Sequence, residues 1–361
     1  MSAERAAAAV EALTLTLGAF RLGPLDLALS AGEILVVLGP NGAGKSVTLE
    51  TIAGFHRPEK GAVRIGSRDV TVLPPERRNV GFVVQNFGLF PHLTAADNVA
   101  LARRRGLSAA HAAALPGGGE VAALLAFFGV APLARRLPSD LSPGEKQRVA
   151  LARALAGAPE LFLFDEPFSA LDSATRLELR GELKSFLQAM NIPAIFVTHD
   201  HGDALTLADT IAVLREGCVV QRGPAAAVFA QPADSAIARF VGVDNILDGR
   251  VAAMSAGAAA IAVGPHRLQA AMTKARAEGT AVRLAIRAEE VTIALSGGTA
   301  ETNRLEGTVT GLQALGPLTA VTIDCGFALK AYLLTPQARG LRAGDAVAAA
   351  ITPTAVHVMD A

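Results

Sequence analysis

The glycine-rich segment Gly39-Pro-Asn-Gly-Ala-Gly-Lys-Ser46 constrains the fold more than any other feature of the sequence. It follows a continuously apolar run, Ile34 to Leu38, that is typical of a strand buried in a parallel sheet. A helical pattern over about residues 45–54 begins where the segment ends. Glycines let consecutive main-chain N–H groups point at one phosphate, and a helix N-terminus adds partial positive charge. This order of elements therefore predicts a phosphate loop.

The residues expected to surround the phosphates lie in this segment and at the start of the helix. They are Gly39, Pro40, Asn41, Gly42, Ala43, Gly44, Lys45, Ser46 and Val47. Lys45 is predicted to place a positive charge on the β- and γ-phosphates, and the Ser46 hydroxyl to ligate Mg²⁺. The alternative is a plain glycine-rich turn before a helix, and the buried strand in front of the segment argues against it.

A second apolar run, Leu161 to Phe164, ends in Asp165-Glu166-Pro167. At the end of a buried strand, Asp165 is placed to hold Mg²⁺ through water, and Glu166 to orient or deprotonate an attacking water. In isolation, Asp-Glu-Pro would be an ordinary exit from a strand into a loop. The phosphate loop upstream makes the catalytic interpretation the better one.

The segment Leu141-Ser-Pro-Gly-Glu-Lys-Gln-Arg-Val149 predicts a helix start, with Ser142 as N-cap and Glu145 completing a capping box. A well-capped surface helix would explain this segment by itself. Here it stands between the phosphate loop and the Asp-Glu strand, and Thr198-His199-Asp200 follows. These motifs in this order, over about residues 12–240, resemble the ATP-binding-cassette (ABC) ATPases, which implies ATP as the nucleotide and Mg²⁺ beside it.

The resemblance assigns roles to further residues. Gln85 is similar to the glutamine that touches Mg²⁺ and senses a transmembrane partner. Ser142 and Gly144 resemble the signature that reaches across a dimer to the γ-phosphate of the other subunit. Ser169-Ala-Leu-Asp172 resembles the segment that links the two sites, and His199 the switch histidine that contacts the γ-phosphate.

The sequence departs from the family pattern in two places. Pro143 stands where the signature usually has glycine, and it removes one N–H that could face a phosphate. The family also stacks adenine on an aromatic residue upstream of the phosphate loop. Leu17 aligns with that residue, and Phe20 is the alternative platform.

Strands alternating with helices predict a doubly wound α/β sheet. The resemblance implies a P-loop NTPase cassette over residues 1–243, with a helical subdomain at about 86–157. Short antiparallel strands are expected over 12–36, with turns at Gly23-Pro24 and Ala31-Gly32.

The pattern changes near Asp244 to short alternating runs separated by Gly, Pro and Asp turns, which predicts an all-β barrel over residues 244–361. The expected runs are 282–295, 305–312, 319–325, 327–333 and 346–359. This tail leaves room for two related halves. Phe240 to Gly249 resembles the entry to an OB-like regulatory domain of the TOBE type.

The chain has 33 Lys and Arg against 33 Asp and Glu, so no overall field draws it to nucleic acid or anionic lipid. The densest basic run, Arg103 to Arg105, is interpreted as a solvated surface patch. The start of the chain does not predict a signal peptide, and Val251 to Pro265 is too short to span a bilayer. We therefore expect a soluble protein, held on a membrane only through partner chains.

A single cassette followed by a β domain resembles the ATPase subunit of a bacterial or archaeal importer. Leu73 to Gln85 is similar to the importers of sugars, polyamines, iron, sulfate and molybdate. Residues 44–55 and Asn303 to Val309 are similar to the molybdate or tungstate type. The resemblance implies a second copy, permease subunits docked near Phe87 to Thr94, and indirectly an external solute-binding protein. It places the chain at the cytoplasmic face of the plasma membrane.

Other functions stay open at this stage. The same motor could serve sulfate, a polyamine, ferric iron or a sugar. A cassette acting on DNA or the ribosome usually carries paired cassettes, long insertions or basic arms. A catalytically weak regulatory ATP-binding protein is the remaining alternative, and Pro143 is the residue that favours it.

Overall fold

The computed structural model describes residues 6–102, 117, 120–255, 257–272, 275–295 and 303–361. The chain divides into two compact units, 1–226 and 227–361. The predicted boundary at 243/244 and the predicted helical subdomain at 86–157 stay predictions. The arginine run 103–105 lies outside the described residues.

A six-stranded sheet forms the centre of the first unit, in the order β10-β9-β3-β8-β7-β6. Its strands are β3 (Ile34–Leu38), β6 (Val80–Val83), β7 (Leu161–Asp165), β8 (Ala194–Val197), β9 (Thr210–Arg215) and β10 (Cys218–Pro224). All neighbours pair in parallel except β9 and β10. Every residue of β3, β7 and β8 is buried, which matches their continuous apolar runs. Because these three strands are parallel neighbours, their carboxyl ends and the following loops meet at one edge of the sheet.

A four-stranded antiparallel sheet has the order β2-β1-β4-β5. Its strands are β1 (Ala8–Leu17), β2 (Phe20–Leu29), β4 (Lys60–Ile65) and β5 (Arg68–Asp69). The turn expected at Gly23-Pro24 was wrong, because β2 runs through it and the hairpin turns at residues 18–19. Irregular pairing on either side of Leu13 in β1 accommodates the interruption.

The structure describes the following helices, of which the first confirms the helix predicted over about residues 45–54. They are α1 (Lys45–Ala53), α2 (Ala95–Ala102), α3 (Val121–Phe127), α4 (Pro143–Ala156), α5 (Ser173–Met190), α6 (His201–Leu207), α7 (Ala225–Ala230) and α8 (Ser235–Phe240). Short 3-10 turns occur at Pro75–Arg77, Ala131–Leu133, Pro138–Asp140, Ala288–Glu290 and Pro353–Ala355. Among the described residues, no helix has the length and apolar character needed to cross a membrane.

The core of the first unit joins the two sheets and α1. Leu49 and Ile52 of α1 belong to one buried cluster with Leu25 of the antiparallel sheet and Leu163 and Ile195 of the central sheet. The helix that follows the phosphate loop is therefore fixed by apolar contacts on both sides.

The second unit contains two five-stranded antiparallel sheets, in the orders β13-β12-β11-β14-β20 and β15-β19-β16-β17-β18. The strands are β11 (Asn245–Ser255), β12 (Ala258–Val263), β13 (His266–Ala271), β14 (Ala281–Ile286), β15 (Val291–Leu295), β16 (Asn303–Leu315), β17 (Leu318–Asp324), β18 (Ala328–Leu334), β19 (Ala346–Ile351) and β20 (His357–Asp360). One buried apolar cluster joins both sheets. The expected all-β domain is confirmed.

The two sheets are related halves. Their central strands, β11 and β16, both begin with the pattern Asn-x-Leu-x-Gly-x-Val, at Asn245 and at Asn303. The Asn245 side chain exchanges hydrogen bonds with the main chain of Lys330, at 2.7 and 2.9 Å. Asn303 does the same with Gln269, at 2.6 and 2.8 Å. The central strand of each half is thus hydrogen-bonded to an edge strand of the other half.

Two expected runs each divide into two strands at points that no local pattern marks. The run 282–295 forms β14 and β15, which belong to different sheets, and 346–359 likewise supplies β19 and β20. A 3-10 turn separates the strands in each pair, which lets the chain change sheets.

Candidate functional site

The phosphate loop folds back on itself through Lys45. The ammonium Nζ donates to the carbonyl oxygen of Gly39 at 2.8 Å and to that of Pro40 at 3.0 Å. Burial lowers the pKa of Lys45, while the negative charges of Glu166 and Asp165 oppose the shift. Only 7% of Lys45 is exposed, so its charge is held at the loop and not in bulk water.

Gly44 is the residue that the loop cannot replace. It is the N-cap of α1 in a left-handed conformation, with φ of 99°. A Cβ atom there would lie 2.5 Å from Cζ of Phe20 and 3.2 Å from Cδ1 of Leu22. The third glycine of the motif is therefore required both by its backbone angles and by the close approach of Phe20.

Asp165 ends β7 in a buried position beside the loop. Burial raises the pKa of its carboxyl group, and the hydrogen bond from the Ser46 side chain lowers it in part. The neighbouring charges of Glu166 and Glu50 raise the pKa further. A hydroxyl and a carboxylate in contact supply the oxygen ligands that Mg²⁺ prefers, so the residues present fit this ion.

Glu166 lies at the junction of β7 and the following loop in the left-handed region, with φ of 49°. Its N–H donates to the carbonyl of Val197 at 2.9 Å, which fixes it beside the end of β8. Its carboxylate oxygen Oε1 lies 2.9 Å from Nδ1 of His199, two residues beyond that strand. Adjacent strand ends thus bring the acid and the histidine into contact. A non-glycine residue held at positive φ is a feature that clusters at functional sites.

An open cleft of about 820 Å³ joins these groups. Its lining residues are Leu17, Phe20, Asn41, Gly42, Gly44, Lys45, Ser46, Val47, Gln85, Glu166 and His199. Gln85 is exposed in the turn after β6, and both candidate adenine platforms, Leu17 and Phe20, lie in the wall. Asp165 is buried next to the lining, in contact with Ser46.

Ser142 and Gly144 do not line this cleft, as expected of residues that serve a second copy. They form the start of α4, where the predicted capping box is confirmed. The Ser142 hydroxyl accepts from the N–H of Glu145 at 3.3 Å, and the Glu145 carboxylate accepts from the N–H of Ser142 at 2.7 Å. Pro143 occupies the first helical position, where its missing N–H leaves no intrahelical hydrogen bond unmade.

Sequence reasoning missed the residue that anchors α1 at its other end. Arg78 is only 1% exposed. Its Nη1 donates to the carbonyls of Thr51 and Ile52, at 2.9 and 2.8 Å, in the last turn of α1. Its Nε and Nη2 donate to the carbonyls of Leu73 and Thr71, at 2.8 and 2.9 Å. One guanidinium therefore joins the C-terminal end of the phosphate-loop helix to the segment that leads into β6 and Gln85.

Comparison with known proteins identifies the family. The sequence matches the ABC transporter family over residues 22–169 and the TOBE domain family over residues 284–359. It is 35% identical, over 97% of this chain and 99% of the relative, to the molybdate/tungstate import ATP-binding protein of Pyrococcus horikoshii. The chain belongs to the ATP-binding-cassette ATPases. The predicted P-loop cassette fold with a C-terminal TOBE-type β domain is thereby confirmed.

Other relatives of this ABC ATPase are named for different solutes. The spermidine/putrescine import ATP-binding protein of Thermobifida fusca is 37% identical over 83% of this chain and 77% of the relative. The Fe(3+) ions import ATP-binding protein of Agrobacterium fabrum is 37% identical over 80% and 81%. Among solved structures, a dimeric cassette in a post-hydrolysis state bound to ADP and Pi is 30% identical, with a TM-score of 0.53 over 60% of this chain and 98% of that one.

Proposed function

We propose that this ABC ATPase is the motor subunit of an importer, and that Glu166 activates the water that attacks ATP in the cleft beside Lys45. The observation that carries the proposal is the 2.9 Å contact between Glu166 and His199 at the mouth of the phosphate loop. Lys45, Glu166 and His199 line the same cleft, which supports a role for this carboxylate beside the γ-phosphate.

Different residues of the chain have different roles in this proposal. The phosphate loop and Lys45 bind the phosphates. Glu166 accepts a proton from the attacking water, and His199 orients that carboxylate and contacts the γ-phosphate. Ser46, Asp165 and Gln85 would hold Mg²⁺, which when bound neutralises charge on the phosphate oxygens.

A second copy completes each site in this proposal. The start of α4 brings Ser142 and Gly144 to the partner's γ-phosphate. Because Pro143 has no N–H and that of Glu145 is taken by Ser142, the first-turn amide offered to the phosphate is that of Gly144. The dimeric relative bound to ADP and Pi supports this arrangement.

We assign the permease contact to a groove of about 600 Å³ next to the segment after Gln85. Phe90 and Arg153 line it together with Phe55 and Leu101, which are 59% and 60% exposed. Large apolar side chains exposed side by side mark a surface that a partner covers. Docking there would hold the chain at the cytoplasmic face of the membrane.

The transported solute is proposed to be molybdate or tungstate. The named relatives of Pyrococcus horikoshii and Thermococcus kodakarensis support it, at 35% and 40% identity. The polyamine and ferric-iron relatives have similar identities, so these solutes are the competing candidates.

Initial rates of Mg²⁺-dependent ATP hydrolysis by the purified full chain test the motor. Steady hydrolysis that Lys45→Ala abolishes is expected, since that substitution removes the charge on the phosphates. ATP binding without turnover, with and without the permease, would instead favour the regulatory alternative to which Pro143 points. For the solute, uptake by the chain reconstituted with its permease and binding protein would be compared for molybdate, tungstate, spermidine and ferric iron. Uptake confined to spermidine or ferric iron would overturn the oxyanion assignment.

A further inference from the structure

Two loops leave the carboxyl edge of the central sheet, one after β7 and one after the neighbouring strand β8. The segment 169–172 follows Glu166 and is joined to it, since the N–H and the hydroxyl of Ser169 donate to the Glu166 carbonyl at 3.2 and 3.0 Å. The other loop contains His199 and Asp200. Arg176, in the first turn of α5, contacts both loops.

The two arms of the Arg176 guanidinium go to different loops. Nη2 donates to the carbonyl of Leu171 at 3.1 Å, and Nη1 donates to Oδ2 of Asp200 at 3.1 Å. The side chains of Arg176 and Asp200 are 26% and 32% exposed, so water screens this pair only in part. A planar fork can hold two acceptors at once, which a lysine ammonium on a flexible stem does much less well.

Asp200 in turn fixes the backbone next to His199. Its Oδ1 caps α6 by accepting from the N–H of Asp203 at 2.9 Å. Its own N–H donates to the hydroxyl of Thr198 at 3.0 Å, and that hydroxyl donates to Asp203 at 2.8 Å. His199 is therefore flanked on both sides by residues whose positions are set by hydrogen bonds.

Arg180 provides an internal comparison one helical turn further along α5. Its Nη2 lies 3.2 Å from Oδ1 of Asp200, and it also pairs with Asp203. These bonds hold the start of α6. They do not involve the carbonyl of Leu171, which accepts from Arg176.

We propose that Arg176 is a positioning residue that couples the segment 169–172 to His199. This rests on the proposed function, in which a second copy completes each site, and it assigns to the segment 169–172 a contact with that copy. Contact of the second copy with residues 169–172 is carried through Leu171, Arg176 and Asp200 to the histidine that orients Glu166. Hydrolysis in one site thereby depends on the arrival of the partner.

The test compares Arg176→Lys with Arg180→Lys in the full-length chain, with kcat and KM for ATP measured under the same conditions. Both variants keep the positive charge, but only Arg176→Lys breaks a bridge between two loops. We expect kcat of Arg176→Lys to fall about tenfold to a hundredfold, the scale of a small misplacement of catalytic groups. KM should stay within about twofold, because the phosphate loop is untouched. Arg180→Lys keeps a cation beside Asp203 and leaves the bridge from Leu171 through Arg176 to Asp200 intact, so its kcat should stay within about twofold of that of the unsubstituted chain.

Asp200→Asn allows a double-mutant comparison of kcat, which distinguishes coupling between the two loops from a purely structural role of Arg176. Asparagine keeps the cap of α6 but loses the charge that Arg176 contacts. The double variant Arg176→Lys with Asp200→Asn should have the same kcat as the slower single variant, since both break one link. The inference would be overturned if the losses in kcat of the two single variants multiplied in the double variant, or if Arg176→Lys had a normal kcat. Absence of hydrolysis by the unsubstituted chain would instead overturn the proposed function.

Discussion

Replacing Arg78 with methionine should loosen the phosphate-loop helix at the end away from the nucleotide. Methionine keeps an unbranched apolar stem of similar length but removes all four hydrogen bonds to main-chain carbonyls. Gly54, just after α1, leaves the space that the guanidinium fills, since a Cβ there would lie 2.5 Å from Nε of Arg78.

The size of the effect follows from those carbonyls. Each buried carbonyl left without a partner costs about 1–3 kcal/mol. The carbonyl of Thr51 keeps a bond from the N–H of Gly54, so up to three of the four acceptors lose their partner. Relief from burying the guanidinium offsets part of this loss. We therefore expect a net loss of about 3 kcal/mol, a large share of the roughly 5–15 kcal/mol that stabilises a typical domain.

Hydrogen exchange measured by mass spectrometry suits this prediction, because a chain with two units need not unfold in a single transition. Exchange through opening of residues 45–53 should speed up about a hundredfold in Arg78→Met, the equivalent of about 3 kcal/mol. Arg68→Met is the matched control. Its guanidinium lies 3.0 Å from Glu160, with both side chains more than 40% exposed, so its loss should cost less than about 1 kcal/mol. Equal protection of α1 in the two variants would refute the role given to Arg78.

Three further predictions concern the cleft and the start of α4. Gly44→Ala should weaken ATP binding, measured by calorimetry, about tenfold or more. The Cβ atom of the alanine would overlap Phe20, and a left-handed φ costs alanine about 1–2 kcal/mol. An unchanged affinity for ATP would count against the loop geometry. Asp165→Asn should raise the melting temperature of the nucleotide-free chain at neutral pH while hydrolysis is lost. Because the pKa of Asp165 is raised, its charged form destabilises the fold. The increase in melting temperature should therefore shrink as the pH falls toward the acid range, where the carboxyl group is protonated in the folded chain. A lower melting temperature for Asp165→Asn at neutral pH would contradict this prediction. Pro143→Gly should lower the stability by about 1 kcal/mol, because glycine gives the unfolded chain more conformational entropy. The same variant should hydrolyse ATP faster, because it restores an N–H at the first helical position. Slower turnover would contradict the role given to this N–H.

Strong local patterns were sufficient to predict three strands of the central sheet, including one at the apolar run 194–197. The runs that end at Leu38, Phe164 and Val197 are continuously apolar, so their composition predicts strands that are buried on both faces. The phosphate loop was equally clear, because its glycines and lysine follow a buried strand at fixed spacing.

The second unit was harder to predict for a physical reason. Strand β12 is rich in alanine, which has little intrinsic preference for strands, and it forms through pairing with β11 on one side and β13 on the other. The change of sheet between β14 and β15 depends on pairing with distant strands β19 and β20, which no local pattern records.

In the candidate site, the spacing of the motifs predicted the residues whose own side chains would bind phosphate or take part in hydrolysis. Lys45, Glu166 and His199 are examples, and their roles stay predictions. Arg78 and Arg176 escaped notice because their partners include main-chain carbonyls, which every residue possesses. The four-residue spacing of Arg176 and Arg180 on α5, before Asp200, was the one available signal that two basic side chains share a helix face.

The most direct test of the central claim is single-turnover hydrolysis of ATP by Glu166→Gln, with oligomeric state followed by size-exclusion chromatography. Glutamine keeps the shape of Glu166 but cannot accept the proton from water. The rate should therefore fall about a hundredfold to ten-thousandfold. With its nucleotide intact, Glu166→Gln should accumulate as a dimer in the presence of Mg²⁺ and ATP. A near-normal rate of hydrolysis, or a chain that stays monomeric with ATP bound, would contradict the account.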